Sequence, residues 1–578
     1  MQKVISPSSQ VKSKEPVRSS EVSMPRKKNY QAWNKEDLIK EVQKLEKRKK
    51  YGIVWEDKPE EVAELCKEKL PVLVEDESKE ISSSQTGPAN LLIEGDNYHA
   101  LSVLNYTHKG KIDVIYIDPP FNTGAKDWKY NNDYVDINDQ YRHSKWLSMM
   151  WKRLKLAKNL LREDGVLICA IDENEFHHLG TLLEELFQKR EIHCVTIVHN
   201  PRGVQGGNFS YTHEYAYFVF KKGLKVIGHR KISEKDVDWR NLRDNGGESL
   251  RTDARNCFYP IIVKDEKVVG FGDVVENSIH PKKQTEVRKG HHYVYPIDRK
   301  GIERKWRYAR QSVEAISHLL RVKKNKTGYE IEIGKDFGTV RTVWMDSRYD
   351  ANENGTKLVH ALVPSSHFDF PKSIYTVFDC IAPILYERKS AIVLDYFAGS
   401  GTAGHAVMML NKEDKGKRQF ILCTDNENNI AREVCYPRIK KVVSGHKDYP
   451  DITGIPANLK YFTTDFVGAA PTDRNKRRLV DKSTEMLCLK EDCFDKVKRT
   501  EDYGIFKNGE GKYLGIVYDD EGIESLKKEA KRLNRKMVVY VFSLDESARE
   551  EEFEDVESLV DLKPIPAVIL NVYKRIFR

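Results

Sequence analysis

Two short stretches hold residue types that could do chemistry. In Asp118-Pro119-Pro120-Phe121-Asn122 a carboxylate, two stiff imino acids and an aromatic ring follow one another. Each proline fixes its own φ and restricts the residue before it. The Asp118 carboxylate, the Pro119 carbonyl and the Phe121 ring are therefore held in a set relation. Two acceptors beside a stacking face suit a flat molecule that carries an amino group. In Asp395-Tyr396-Phe397-Ala398-Gly399-Ser400-Gly401-Thr402 an acid leads into a glycine-rich turn. Glycine lets a backbone approach a ligand closely, and the helix that follows offers unpaired N–H groups to an anion. Asp425 and Glu427 end the next strand, where doubly wound folds place acids that meet ribose hydroxyls. A phosphate loop of the G-x-x-x-x-G-K-[ST] type is absent, and the third glycine of the dinucleotide spacing is missing. A ribose-bearing ligand with a carboxylate tail, S-adenosylmethionine, fits this turn better than NAD.

The elements that must position these residues are legible from periodicity. Val114–Ile117 is an apolar run that the two prolines stop, and Ala391–Leu394 is a second such strand. Around them strands at 91–93, 166–171, 192–198, 214–221 and 420–424 alternate with helices at 98–108, 139–162, 173–188, 374–386 and 430–443. The helix at 139–162 places Trp146, Met150, Leu154, Ala157 and Leu161 on one face. This alternation predicts a parallel-type α/β sheet with helices on both faces. Ligands in such sheets bind at the carboxyl ends of strands. If the strands ending at Asp118 and Asp395 are neighbours, the two constellations share one cleft; periodicity alone does not show that they are.

The 578 residues exceed one core and predict several domains. Residues 1–30 read as a disordered basic tail, and 31–90 as a charged helix at 35–50 followed by a polar linker over 72–90. The α/β unit splits into 91–224 and 366–457. Between them, 225–365 reads as an inserted α+β region in which basic and aromatic residues intermingle, as in Arg304-Lys305-Trp306-Arg307-Tyr308. Such interleaving suits phosphate and base contacts. Residues 458–578 read as a separate α+β interaction domain. The net charge of +9 permits a polyanionic partner without requiring one. Nine scattered cysteines with no C-x-x-C pair argue for reduced thiols and against a zinc framework. No apolar run approaches the ~20 residues of a membrane helix, and the polar, basic N-terminus does not read as a signal peptide. A cytoplasmic protein is expected, with no metal. His177-His178 and His291-His292 lack ligand spacing, and Cys169 and Cys423 lie in apolar strands as core residues.

Taken together, six stretches in this order carry a family resemblance: Leu92-Ile93-Glu94-Gly95-Asp96-Asn97, the proline turn through Gly124, Glu163-Asp164-Gly165-Val166 running on to Glu175, Phe370-Pro371-Lys372-Ser373, the glycine turn, and Asn426-Glu427-Asn428-Asn429. The chain resembles amino-group DNA methyltransferases of the β order, most of all the modification subunits of type III restriction-modification systems. Phe121 stands where the family commonly has tyrosine, and Ala403 where it has threonine. The resemblance implies a Rossmann-like S-adenosylmethionine-dependent fold, a doubly wound mixed sheet. It implies that Asp118, Pro119, Pro120 and Phe121 are catalytic. Phe397, Ala398, Gly399, Ser400, Gly401 and Thr402 would line the donor, with Asp395 at its amino-acid moiety and Asp425 or Glu427 at its ribose. Asp96 would face its adenine, and Lys372 and Ser373 would close the pocket. Residues 225–365 would form a target-recognition domain. Asn122, Arg202, Arg304, Lys305, Trp306 and Arg307 are the expected DNA contacts.

The function expected is methyl transfer to N6 of a flipped-out adenine in double-stranded DNA, by a homodimer that can partner a restriction subunit. Alternatives are a sequence-reading subunit of a defence complex, an N4-cytosine methyltransferase, and an enzyme acting on RNA or a protein amide. The intact Asp118, Gly399 and Gly401 count against a catalytically dead reader, and the acid at 118 favours adenine over cytosine, whose family relatives usually carry serine there.

Overall fold

The computed structural model describes residues 33–46, 53–83, 87–205, 208–231, 237–325, 328–335, 337–366, 368, 370–445, 454–545 and 547–577. The chain divides into two units, Met1–Val54 and Trp55–Arg578. Within the first, the charged helix runs from Lys35 to Glu46; the tail expected at 1–30 lies outside the described residues.

The second unit is built on a ten-stranded mixed sheet. Its strands in chain order are β1 (Lys69–Glu75), β2 (Ala89–Glu94), β3 (Ile112–Ile117), β4 (Leu161–Ile171), β5 (Arg190–Val198), β6 (His213–Lys221), β7 (Val343–Trp344), β8 (Ile392–Asp395), β9 (Gln419–Thr424) and β10 (Asn458–Gly468). Their spatial order is β1-β10-β2-β9-β8-β3-β4-β6-β5-β7. The five central strands from β2 to β4 run parallel, and β3 is buried at all six positions. Such strands read as continuous apolar runs because helices cover both faces. The covering helices include α1 (Asn97–Thr107), α2 (Arg142–Leu160), α3 (Phe176–Leu186), α4 (Ile374–Leu385), α5 (Thr402–Asp414) and α6 (Tyr436–Ser444). Because β2, β9, β8 and β3 are mutually parallel, Asp96, Asp425, Asp395 and Asp118 all leave the sheet at one edge.

Three expected boundaries differ from the structure. The stretch taken as a linker over 72–90 contains most of β1 and the start of β2, and the sheet extends past 457, since β10 pairs antiparallel with β1 and parallel with β2. Pro71 within β1 is tolerated because β1 is an edge strand. The inserted region is held by a two-stranded ribbon of His229–Lys231 against Phe337–Thr339. It has a three-stranded and a four-stranded sheet around Leu242, Tyr259, Ile261, Val294, Trp306 and Ile331. The chain is back in the main sheet by Val343, earlier than the expected 365, because β7 pairs with β5. After β10 a five-stranded sheet of residues 495–565 carries the helix Ile523–Leu533. The last helix, Ala567–Ile576, returns to the main body, where Tyr573 donates to the Pro71 carbonyl. Among the described residues, no helix is long and apolar enough to cross a membrane.

Candidate active site

The proline turn is braced from behind. The Pro120 carbonyl accepts a hydrogen bond from Trp146 Nε1 of α2 at 2.7 Å. Asn122, with a left-handed φ of 58°, is fully buried. Its amide donates to Glu175 Oε1 and its carbonyl accepts from Trp128 Nε1 at 3.0 Å. Asn122 was expected to touch DNA; its side chain is instead consumed in holding the turn. Buried Glu175 also accepts from His143 Nδ1 at 2.6 Å and His178 Nδ1 at 2.7 Å. Arg142 Nε donates to the other ring nitrogen of His143, which fits the tautomer that this arrangement requires. The hydrogen bond to Glu175 raises the His178 pKa above its usual value.

In front of the turn stand three charged groups. The Lys372 ammonium lies 3.2 Å from Asp118 Oδ1 and 2.6 Å from Glu214 Oε2, and 4.2 Å from the centroid of the Phe121 ring. Burial pushes the Asp118 carboxyl up to about 6, with the Glu214 charge adding to the rise and Lys372 opposing it. Burial works against the Lys372 charge, but the two carboxylates outweigh it and raise its pKa. Lys372 was expected along the donor; its ammonium instead stands between Glu214 and Asp118. Glu214 was not singled out from the sequence, although an acid inside the apolar strand β6 was a readable sign.

The glycine turn follows β8 directly. Asp395 is buried and accepts a hydrogen bond from the Phe397 amide at 3.0 Å. Burial drives its pKa well upward and the neighbouring Asp118 charge adds to that, against the Phe397 bond. Gly399 and Gly401 have φ of 48° and 81°, and Gly401 caps α5 with no side chain on the free N–H groups. A Cβ on Gly399 would come within 3.0 Å of the Phe368 ring. Phe368 therefore covers this turn from the same segment that carries Lys372. Ser400 and Thr402 were expected to line the donor. Their hydroxyls point into the core, where each accepts from Arg438 Nη1 at 2.8 Å, so only their backbone can serve the site. Ser373 is likewise committed as the cap of α4 and as a donor to the Arg348 carbonyl.

Asp96 caps α1 by accepting from the Tyr98 amide at 2.7 Å. Arg153 of α2 holds it at 3.3 Å, pairs with Glu60 at 2.6 Å and donates to Asn97. Asn97 in turn donates to the Tyr396 carbonyl at 2.9 Å. One buried arginine thus ties the Asp96 corner to the glycine turn. Asp425 is exposed, while Glu427 is paired with Lys129 at 2.6 Å. Lys129 lies on the hairpin Ala125–Asp136 that follows the proline turn. Arg153 and Arg438 escaped the sequence reading, though each falls at a core-facing spacing of its helix.

Of the residues expected at DNA, Trp306 is 2% exposed and donates to the Tyr259 carbonyl. It belongs to the core of the insert and offers no face for stacking. Arg304 is tied to Asp298 at 3.0 Å and Ser249 at 2.6 Å. Lys305 is half-buried and Arg307 exposed. Arg202 is exposed and pairs with Asp350 at 3.2 Å.

The family model N6_N4_Mtase, described as DNA methylase, matches residues 112–434, more than half of the chain. The chain belongs to this DNA methylase family. The matched span runs from the start of β3 to just short of α6, so it takes in both the proline turn and the glycine turn of the methylase. The type II methyltransferase M.KpnI of Klebsiella pneumoniae is 30% identical over 410 residues, covering 68% of the methylase and 91% of M.KpnI. The EcoPI Mod subunit of a type III restriction-modification enzyme from Escherichia phage P1 is 28% identical over 402 residues, 62% of the methylase and 60% of that subunit. The methylase thus spans about three fifths of that Mod subunit's length. Among solved structures, the M1.HpyAVI–SAM complex is 12% identical with a TM-score of 0.28, over 60% of the methylase and 98% of that chain.

Proposed function

We propose that this DNA methylase transfers a methyl group from S-adenosylmethionine to N6 of adenine in double-stranded DNA, as the modification component of a restriction-modification system. The observation that carries the reading is the adjacency of β3 and β8, which brings the proline turn and the glycine turn to one edge of the sheet. The residues fit the donor. Glycines 399 and 401 hold the left-handed turn that brings the backbone to the strand end, the start of α5 is free of a side-chain cap, and buried Asp395 suits an ammonium group. Asp96 and Glu427 stand at the flanking strand ends for the nucleoside. When bound, the donor supplies an electrophilic methyl on a sulfonium.

The chain's own residues do the rest. An adenine amino group is a weak nucleophile because its lone pair is delocalised into the ring. Asp118 and the Pro119 carbonyl accept its two hydrogens, which favours a lone pair localised on nitrogen. Phe121 stacks on the base and offsets part of the few kcal/mol that extrusion from the duplex costs. Catalysis is then positioning and electrostatic stabilisation. Exposed basic residues of the insert, Arg307 among them, would meet phosphates. The similarity to Mod subunits supports a restriction-subunit partner, and light scattering of the purified chain would read whether it also pairs with itself.

The test is methyl transfer from labelled S-adenosylmethionine to unmethylated plasmid DNA, with nucleoside analysis of the product. N6-methyladenine is the expected product. N4-methylcytosine would overturn the choice of base, and absence of transfer would overturn the enzymatic reading of this chain acting alone.

A further inference from the structure

Only one of the three charged groups in front of the proline turn belongs to that turn. Glu214 enters from the start of β6 and is 1% exposed. Lys372 enters from the segment before α4. Its 2.6 Å hydrogen bond to Glu214 is the tighter contact, and the ammonium stands 3.2 Å from Asp118 as an ion pair. Glu214 Oε1 is buried with no hydrogen-bond partner. With both acids ionised and the lysine protonated, the three groups sum to one negative charge.

We infer that Glu214 is a positioning residue for methyl transfer: it seats the Lys372 ammonium to one side, so that an Asp118 oxygen stays open for the target amino group and the pocket stays net negative. Without the Glu214 charge the nearest anion left to the ammonium is Asp118, 3.2 Å away, and the ammonium would occupy the acceptor that the amino group needs. A buried ammonium does not stay unpaired. A pocket with no net charge would also lose stabilisation of the positive charge that grows on the amino nitrogen during transfer. Of the other titratable groups facing Asp118, burial keeps Tyr116 from its own strand and Cys169 from β4 neutral, and it raises the Asp395 carboxyl from β8. Asp172 beyond β4 and His199 beyond β5 face Lys372, the first raised to about 6 by burial and the second lowered by it. The inference rests on the proposed role of Asp118 as acceptor of the target amino group.

The test uses the full chain with Glu214→Gln, which keeps the shape and can still accept from Lys372, and Lys372→Met, which keeps the bulk without charge. In the unliganded protein, difference infrared spectroscopy follows the protonated-carboxyl band of Asp118, assigned by its loss in Asp118→Asn. The band titrates at lower pH in E214Q and at higher pH in K372M. In turnover, E214Q lowers kcat about tenfold at pH 8 while the KM for the donor stays within about twofold. An unmoved Asp118 titration together with an unchanged kcat in E214Q reduces Glu214 to a structural hydrogen-bond acceptor and overturns the inference. Should E214Q not fold, an unmoved titration in K372M overturns it equally. A wild-type chain that transfers no methyl group would sink the proposed function, while the infrared titration would still decide for or against Glu214.

Discussion

Asp118 and Asp395 leave adjacent parallel strands at the same edge of the sheet, β3 and β8 being paired through Val114 with Val393 and Ile115 with Leu394. Each acid ends the strand that carries it, and the charge of Asp118 adds to the burial that raises the Asp395 carboxyl. Two stretches separated by the whole insert thus meet at one edge of the sheet, with the proposed acceptor for the amino group beside the proposed turn for the donor.

Asp118→Asn is expected to lower kcat at least ~1000-fold while changing donor affinity little, since the donor turn lies on the neighbouring strand. Single-turnover transfer and calorimetry with S-adenosylmethionine measure the two effects. Retention of wild-type turnover would remove Asp118 from the catalytic role.

Asp118 must be ionised to accept both in charge and in hydrogen bonding. With its carboxyl at about 6, kcat/KM should rise with pH through that value and level off above it. The stability effect runs the other way. A raised carboxyl binds its proton more tightly in the folded chain, so its contribution is present in acid and is lost as pH rises through about 6. Asp118→Asn should therefore melt higher than the wild type at pH 8, by an amount equivalent to about 1–3 kcal/mol, and this gain should vanish near pH 4.

Gly401→Ala places a Cβ 3.0 Å from Cys435 Sγ at a φ of 81°. A loss of about 1–2 kcal/mol of stability is expected, along with weaker donor binding. Denaturant titration and calorimetry would show both; an unperturbed variant would mean that the turn relaxes without cost.

Arg153→Met leaves buried Glu60 without its closest partner and frees the Asp96 corner. A loss of about 3–5 kcal/mol follows from stranding a buried charge, visible as a lower denaturation midpoint, and donor affinity should fall with it.

How far this could be read beforehand depended on where a residue's partner lies. Strand ends announce themselves locally: an apolar run stopped by Pro119 or Gly399 fixes both the fold and the edge where ligands sit. Buried polar braces do not. Arg153 meets Glu60 and Arg438 meets Ser400 across long separations in sequence, so neither pairing leaves a local trace. Trp306 was misread because Arg-Lys-Trp-Arg-Tyr looks uniformly surface-like. The chain there is extended, and the bridge of Trp306 to Arg243 turns the indole inward while Arg307 faces solvent. β1 buries Leu70 to Leu73, but Pro71 within that run argues against a strand until its edge position in the sheet is known.

Glu491 of the helix Thr484–Glu491 ties the C-terminal sheet together, accepting from Tyr540 at 2.7 Å and Lys512 at 2.8 Å, with Lys563 at 3.3 Å. Burial opposes its ionisation, but these partners hold its carboxyl at about 2. The stability it adds is present above the ordinary carboxylate range and disappears as pH falls through about 2. Glu491→Gln should cost about 2 kcal/mol at pH 7 and nothing at pH 2, as thermal unfolding across that range would show.

The ribbon of His229–Lys231 against Phe337–Thr339 brings the two ends of the insert side by side, so more than a hundred residues hang from the sheet by a single hinge-width of backbone. Whatever lies beyond that ribbon can lengthen, shrink or be exchanged for another cassette without shifting the register of a core strand. The part of this chain that would choose a DNA sequence is therefore free to diversify quickly, while the part that would carry out the chemistry is locked by its neighbours in the sheet.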